Sequence, residues 1–438
     1  MRVAFYTLGC KVNLYETQAV LNLFKKQNYE IVQFEDIADI YVINTCTVTN
    51  MSASKSRKII RSAIKKNKDA IIVVMGCYSQ SNTEEIKDIL GVNIIVGTNE
   101  RNKIVSLVEE YLKTKENINI VGSIEDIPFE DMEVSFLEGR TRAFVKIQDG
   151  CNNFCSYCII PYTRGRIRSK KKELALDEMT NLVKQGYLEV VLTGIHTGNY
   201  GSDLEDYAFA DLLLDIIKIE GLKRLRISSI EITELNDRVL DIIKNSDIIA
   251  NHLHIPLQSG SENILVSMNR KYNKDYFKKK IEKIRSIRND IAITTDVIVG
   301  FPGEDEEHFE ETYNFIKEIS FAGLHVFPYS KREGTKAALM DNQIPESIKK
   351  ERVHKLMSLS KELELSYMKT FIGETLSFIP ENYEDGYLIG HSSNYLKVKA
   401  LGNEKDLGKM MKAVIASINY PFCTANSCQK CTEFDKNE

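Results

Sequence analysis

Nine cysteines fall into three groups of three along 438 residues: Cys10, Cys46 and Cys77; Cys151, Cys155 and Cys158; Cys423, Cys428 and Cys431. In the middle group, Cys151-Asn-Asn-Phe-Cys155-Ser-Tyr-Cys158, the thiols are close enough for one irregular loop to wrap a single cubic cluster. Zinc is the rival ligand. Structural zinc asks for four protein ligands, usually as two pairs, and no fourth Cys or His lies nearby in the sequence. A four-iron cluster held by three thiolates leaves one iron open, as a cluster that binds a reactant requires. The first group repeats that logic with wider spacing. The last, Cys423-x-x-x-x-Cys428-x-x-Cys431, follows no pattern of this kind and reads as three tail thiols without a functional site.

The elements that must position these thiols alternate in kind. Short β-rich runs at Val3 to Leu8, Ile40 to Thr45, Ala70 to Met75 and Ile94 to Gly97 are separated by helical stretches starting at Asn13, Ser52 and Thr83. Such alternation predicts an open parallel sheet with helices on both faces. Cys10, Cys46 and Cys77 each stand just after one of those strands, and the carboxyl ends of parallel strands share one edge, so the three can converge. The competing reading is three buried thiols acting as small hydrophobes. Ile118 to Arg140 is polar and acidic and reads as a linker. Six further strands, at Ala143 to Gln148, Val190 to Ile195, Leu225 to Ile230, His252 to Leu257, Ile293 to Gly300 and Leu324 to Tyr329, alternate with helices and predict a partial (β/α)6 barrel. Its chemistry belongs at the carboxyl ends of the strands, where Cys151 opens the first loop. A long charged helix, Pro345 to Met368, leads to a small β-barrel beyond Gly373.

Several motifs together resemble the methylthiotransferases, over essentially the whole chain. They are Thr7-Leu8-Gly9-Cys10-Lys11-Val12-Asn13, Asn44-Thr45-Cys46-Thr47-Val48-Thr49, Gly76-Cys77, the C-x-x-x-C-x-x-C loop of the radical S-adenosylmethionine (SAM) enzymes, Ile159 to Arg166, Pro256 to Ser261 and Gly300 to Glu304. The resemblance implies an α/β protein of three parts: residues 1–117 as a methylthiotransferase domain, 137–370 as a radical SAM barrel and 373–438 as a TRAM domain with a cysteine-containing tail. It also implies two 4Fe-4S clusters, on Cys10, Cys46 and Cys77 and on Cys151, Cys155 and Cys158, with SAM as co-substrate. Gly9-Cys10-Lys11-Val12-Asn13 and Leu192 to Gly198 resemble the branch acting on N6-threonylcarbamoyladenosine in tRNA. The same chemistry on isopentenyladenosine or on a ribosomal protein side chain stays open as an alternative. So does a different class, an RNA-binding iron-sulfur protein without catalysis. The implied partners are tRNA, an electron donor and a sulfur source, with the chain a monomer.

Within that resemblance, Tyr157 occupies the position that packs beside the adenine of SAM. Gly300 and Phe301 in a Gly-Phe-Pro-Gly turn, Thr193 with Gly194, and Gln258 with Ser259 all stand at strand ends, where they are candidates for nucleoside or methionine contacts, loop capping being the alternative. Radical abstraction needs no general base, so His196, His252 and His254 read as core or rim residues. Six cations in nine residues follow the cluster loop: Arg164, Arg166, Arg168, Lys170, Lys171 and Lys172. Another dense run, with Arg57 and Arg61, lies on the helix after Cys46. Both are candidates for holding RNA phosphates.

Composition sets the outer bounds. With 58 Lys or Arg against 62 Asp or Glu the formal charge is −4, so the molecule is no polycation, and nucleic acid would have to use local patches. The last 66 residues hold seven Lys or Arg and nine Asp or Glu, which gives no basic face, so RNA binding there rests on the resemblance alone. No run approaches the length of a membrane span. Leu8-Gly9-Cys10 superficially matches a lipoprotein cleavage site, but too few residues precede it. An odd, sparse set of cysteines argues against a disulfide framework and for a reducing cytoplasm.

Overall fold

The computed structural model describes residues 1–134 and 141–431. Its first sheet has six parallel strands, β1 (Arg2–Thr7), β2 (Glu30–Val32), β3 (Ile40–Thr45), β4 (Ile71–Gly76), β5 (Ile94–Ile95) and β6 (Ile118–Asn119), in spatial order β2-β1-β3-β4-β5-β6. Every residue of β3 and β4 is buried, because helices cover both faces. Val3, Val42 and Val73 pack with Tyr15, Phe24 and Val108 on one side, while Ala4, Tyr41 and Val74 pack with Ala53 and Ile60 on the other. A fully buried side chain of the size of Phe24 contributes about 1.5–3 kcal/mol. β1, β3 and β4 are neighbours, with Thr7 opposite Asn44 and Thr45 opposite Gly76. Their carboxyl ends therefore lie side by side, roughly 5 Å apart per step.

The stretch expected to be a linker does more than connect. Ile118 and Asn119 add the edge strand β6, Met132 and Val134 are buried, and Glu130 pairs with the buried Arg101 at 2.6 Å. The part of that stretch from residue 135 to 140 lies outside the described residues, as does the tail from 432.

The central unit contains β7 (Arg142–Lys146), β8 (Gln148–Asp149), β9 (Arg168–Ser169), β10 (Glu189–Thr193), β11 (Arg224–Ile227), β12 (His252–His254), β13 (Ala292–Val299) and β14 (Gly323–Pro328). β7-β10-β11 and β12-β13-β14 run parallel in chain order. The two halves meet where Leu225 N–H donates to Ile248 O and Ala250 N–H to Leu225 O, both at 2.8 Å. This is the six-stranded partial barrel. β8 and β9 form a separate antiparallel ribbon that closes the neck of the Cys151 loop.

Helix Glu346–Lys369 packs on the barrel and delivers the chain to a strand-rich unit of seven strands. These are β15 (Thr375–Glu384), β16 (Tyr387–Ser392), β17 (Lys397–Leu401), β18 (Met411–Val414), β19 (Ser417–Asn419), β20 (Phe422–Ala425) and β21 (Gln429–Lys430). They pair in the order β19-β20-β17-β16-β15-β18-β21, and among the described residues the ladder stays open at β19 and β21. Cys423 points into its core, and Cys428 donates to Leu401 O at 3.3 Å.

Candidate active site

The first thiol triad is built by three adjacent strand ends. Cys10 caps helix Lys11–Lys26 in extended conformation (φ −93°, ψ 179°), where the helix dipole favours negative charge on the sulfur. Cys46 follows β3 directly and Cys77 follows β4. Asn13 ties two of the loops together, donating from Nδ2 to Leu8 O at 2.8 Å and to Thr45 O at 3.1 Å. Asn44 donates in turn to Asn13 O at 2.9 Å. Gly76 adopts φ +103°, and a Cβ there would sit 2.3 Å from Asn44 Oδ1, so only glycine lets β4 hand Cys77 to this place. Burial pushes the Cys77 thiol up to about 12 against the pull of Arg164, and burial raises Cys10 as well.

The second triad sits on the loop after β8. Gly150, at φ +72°, leaves no room for a side chain, since a Cβ would lie 1.9 Å from Arg166 O. Cys151 N–H then donates to Gly165 O at 3.1 Å. The loop is pinned from outside by Asn269, which donates to Phe154 O at 3.0 Å, and by Ser156, which donates to Ser267 O at 2.8 Å. Phe154 itself is held at φ +47°, a region a bulky side chain adopts only under constraint. Arg270 Nη1 donates to Cys155 Sγ at 3.3 Å, and His196 Nδ1 lies 3.7 Å from Cys151 Sγ. Burial raises Cys158 to about 12.

The six cysteines of the two triads are free thiols, and Cys77 and Cys158 each feel the other two sulfurs of their triad electrostatically. Among the described residues no three His, Cys, Asp or Glu side chains close on a single point. Each donor set is three thiols with no fourth protein ligand among them, which fits a 4Fe-4S cluster with one open iron.

Between the triads lies a buried ion network absent from the sequence reading. Arg164 Nε donates to Cys77 Sγ at 3.2 Å, Nη1 to Glu16 at 2.8 Å and Asp149 at 3.0 Å, and Nη2 to Asn13 Oδ1 at 2.8 Å. Lys146 bridges Glu16 at 2.9 Å and Asp149 at 2.6 Å, and Arg101 also closes on Glu16. Burial opposes ionisation of Glu16, but Arg101, Arg164 and Lys146 outweigh it and hold this carboxyl well below the usual range. Asp149 is held low against burial by Arg164 and Lys146. The network joins the first sheet to the barrel and orients one sulfur ligand.

Two expectations are thereby corrected. Arg164 is 0% exposed and Arg168 is 7% exposed, with Arg168 Nη1 donating to Arg166 O at 3.2 Å, so neither can meet an RNA phosphate. Lys170 is likewise buried, paired with Glu178 at 2.6 Å and Asp131 at 2.9 Å. Both residues of β9 and Lys170 after it are buried, which leaves Arg166, Lys171 and Lys172 at the surface. Arg57 is half-buried and donates to Tyr78 Oη at 2.6 Å and Glu85 at 3.1 Å, whereas Arg61 is exposed.

The candidate SAM contacts divide in the same way. Thr193 and Gly194 line the central cavity. Tyr157 and Phe301 belong to one apolar cluster with Ile264, Met268 and Tyr329, next to the Cys158 loop. Gln258 adopts φ +66° and pairs with β13 through Asp296 O at 2.8 Å. Ser259 spends its hydroxyl on Thr312 and on the N–H of Ser261 at 3.1 Å, which is loop capping. The space a Gly300 side chain would take is filled by the Lys349 stem, 2.3 Å from the Cβ position, so that glycine makes room for protein at this face.

A cavity of about 760 Å³ is walled by all three units. Cys10 and Lys11 come from the first, Thr193, Arg226, His252 and His254 from the barrel, and His391, Asn394 and Tyr395 from the last. Tyr395 stacks between His252 and His391, with ring centres 4.6 and 4.7 Å away, and Arg226 lies over its ring at 4.8 Å. Arg226 also donates to Ser392 O and Ser393 O, both at 3.1 Å, while Arg142 pairs with Glu381 at 2.8 Å. Glu189 anchors Arg226 at 3.0 Å and the neighbouring Arg224 at 3.1 Å from the barrel side, with Arg142 4.0 Å away. Arg142 at the start of β7 and Arg224 and Arg226 within β11 were the available signal, because a barrel wall carries cations only where they are paired.

A partial barrel whose first loop carries C-x-x-x-C-x-x-C defines a radical SAM enzyme, and residues 145–316 match the radical SAM superfamily. Residues 2–97 match "Uncharacterized protein family UPF0004". The fold is similar to that of the radical SAM methyltransferase TsrM from Kitasatospora setae, with TM-score 0.57, 14% identity and 77% of each chain covered. Across the sequence, the chain is 49% identical to the threonylcarbamoyladenosine tRNA methylthiotransferase MtaB of Bacillus subtilis, covering 96% of this chain and 95% of that one. It is 40% identical to the MtaB of Aquifex aeolicus (95% and 100% covered) and 34% identical to a tRNA-2-methylthio-N(6)-dimethylallyladenosine synthase of Clostridium botulinum (94% of each). The chain belongs to the MtaB family of radical SAM methylthiotransferases.

Proposed function

We propose that this protein inserts a methylthio group at carbon 2 of N6-threonylcarbamoyladenosine beside the anticodon of tRNA. The observation that carries this reading is the pairing of two three-thiol sites, from two structural units, locked together by Glu16, Asp149 and Arg164. Cys10, of the first triad, and Thr193 and Gly194, beside the second, share one cavity wall. When bound, two 4Fe-4S clusters and SAM supply the one-electron and sulfur chemistry that substitution at an unactivated C–H bond demands. Cys151, Cys155 and Cys158 would hold the cluster that engages SAM, and Cys10, Cys46 and Cys77 the cluster that presents sulfur.

The protein's own work is placement. Arg164 fixes Cys77, Arg270 fixes Cys155, and the network between the two units keeps the triads at a constant separation. Tyr157, Thr193, Gly194, Gln258 and Phe301 would serve the nucleoside and methionine portions of SAM. Docking of the strand-rich unit through Arg224, Arg226 and Arg142 brings His391, Asn394 and Tyr395 to the cavity wall. Residues 373–438, read as a TRAM domain, would contact the RNA along with the surface cations Arg61 and Arg166. Among the described residues no helix is long and apolar enough to cross a membrane; a cytoplasmic monomer served by a reductant and a sulfur donor completes the reading.

Mass spectrometry of tRNA nucleosides from cells lacking the protein tests it. Loss of the methylthio nucleoside with accumulation of N6-threonylcarbamoyladenosine is expected. An unchanged nucleoside pool would remove the assignment.

A further inference from the structure

We propose that Lys11 receives the carboxylate of the substrate's N6 arm and thereby makes the enzyme prefer an acidic adenosine over an apolar one. The inference rests on the substrate reading above and names the residue that enforces it.

Three cations line the cavity: Lys11, Arg226 and Lys397. Arg226 is fully engaged, donating to Glu189 at 3.0 Å and to the carbonyls of Ser392 and Ser393. Lys397 sits over the Phe422 ring, 4.7 Å from its centre. The two acids on the walls are also taken, Asp296 by His254 Nε2 at 3.2 Å and Glu364 by the Tyr420 hydroxyl at 2.9 Å. Among the described residues no hydrogen bond or ion pair closes on the Lys11 ammonium. Tyr395 and Asp296, from the strand-rich unit and the barrel, line the same cavity as Lys11 and are among its electrostatic neighbours.

An ammonium at the cavity wall with no ion-pair partner among the described residues offers an incoming carboxylate a charge-assisted hydrogen bond. Position points the same way. Lys11 follows Cys10 on the same wall. Carbon 2 and the N6-bearing carbon of adenine flank N1 of one ring, so an adenine that turns carbon 2 toward the Cys10 edge carries its N6 arm past the neighbouring residue. A threonylcarbamoyl arm ends in a carboxylate; an isopentenyl arm offers Lys11 nothing and leaves its charge unpaired. Sites built to bind a polar group reject analogues that lack it.

The test uses the reconstituted holoenzyme and two anticodon stem-loop RNAs, one bearing N6-threonylcarbamoyladenosine and one bearing its neutral methyl ester. Affinity is read by fluorescence anisotropy, and KM and kcat by mass spectrometry. Wild type is expected to bind the acid at least tenfold more tightly than the ester, Lys11→Met to bring that ratio close to one with the loss falling on KM, and Lys11→Arg to keep most of it. Equal binding of acid and ester by wild type would overturn the proposal without any variant, and so would an undiminished acid preference in Lys11→Met. Turnover of the acid by wild type is scored separately: its absence would strike the substrate reading, whereas turnover of both RNAs with equal affinity would strike Lys11 alone.

Discussion

Replacing Arg164 by methionine separates a buried keystone from a phosphate contact. Methionine keeps most of the side-chain length and removes the guanidinium, leaving Glu16 without its contacts at 2.8 and 3.1 Å and Asp149 without its contacts at 3.0 and 3.1 Å. Breaking a buried ion pair by removing one partner costs about 3–5 kcal/mol. Lys146 and Arg101 remain to hold Glu16, and Lys146 to hold Asp149, so the lower end, about 3 kcal/mol, is the expected loss. The chain has no tryptophan, so urea unfolding of the anaerobic apoprotein is followed by far-UV circular dichroism. Arg164→Lys should recover part of the loss, because it restores a charge without the fork that reaches Glu16, Asp149 and Cys77 together. In parallel, the dependence of tRNA affinity on salt should keep its slope in Arg164→Met. A lost surface phosphate contact would lower that slope by about 0.7–0.9. Stability within about 1 kcal/mol of wild type, together with a reduced salt slope, would refute the reasoning.

Arg226→Met removes two hydrogen bonds to the carbonyls of Ser392 and Ser393, each charge-assisted bond contributing about 1.5–3 kcal/mol, so tryptic cleavage near the junction at Gly373 should accelerate at least tenfold; an unchanged rate would show that the strand-rich unit is held by other contacts. Gly76→Ala forces a Cβ to within 2.6 Å of Thr45 O at φ +103°, which should displace Cys77 and lower the iron bound after reconstitution, while normal iron content would contradict the strand-end geometry. Glu16 and Asp149 are depressed in the folded protein, so their contribution is fully present above their ordinary values of 4.5 and 3.8 and is lost as pH falls through the lower folded ones. Loss of structure on acidification should therefore begin below about pH 4, and a transition centred between pH 5 and 7 would point to histidines instead.

Much of this architecture is legible in the residues themselves. The alternation of apolar strands with helices identifies both βα units, and Cys10, Cys46, Cys77 and Cys151 fall at strand ends because parallel topology puts loops of one kind on one edge. What escapes is long-range. Arg164, Arg168 and Lys170 read as a surface charge run because the acids that bury Arg164 and Arg168, Glu16 and Asp149, lie partly on another unit. Glu130 looks like linker acidity until Arg101 turns up beneath it. Gly300 has the local form of a ligand-approach glycine, yet its vacancy is taken by Lys349 from a helix about fifty residues downstream. Tyr395 and His391 reach the cavity only through docking of the strand-rich unit, which no local pattern encodes.

Counting iron and acid-labile sulfide per chain after anaerobic reconstitution bears most directly on the claim that two incompletely ligated cubes share one chain. Wild type should hold about eight irons, and replacing Cys10, Cys46 and Cys77 together by alanine should leave about four, with the SAM-cleaving centre on Cys151, Cys155 and Cys158 still active in making 5′-deoxyadenosine. A wild-type content near four irons, or an unchanged content in the triple variant, would contradict it.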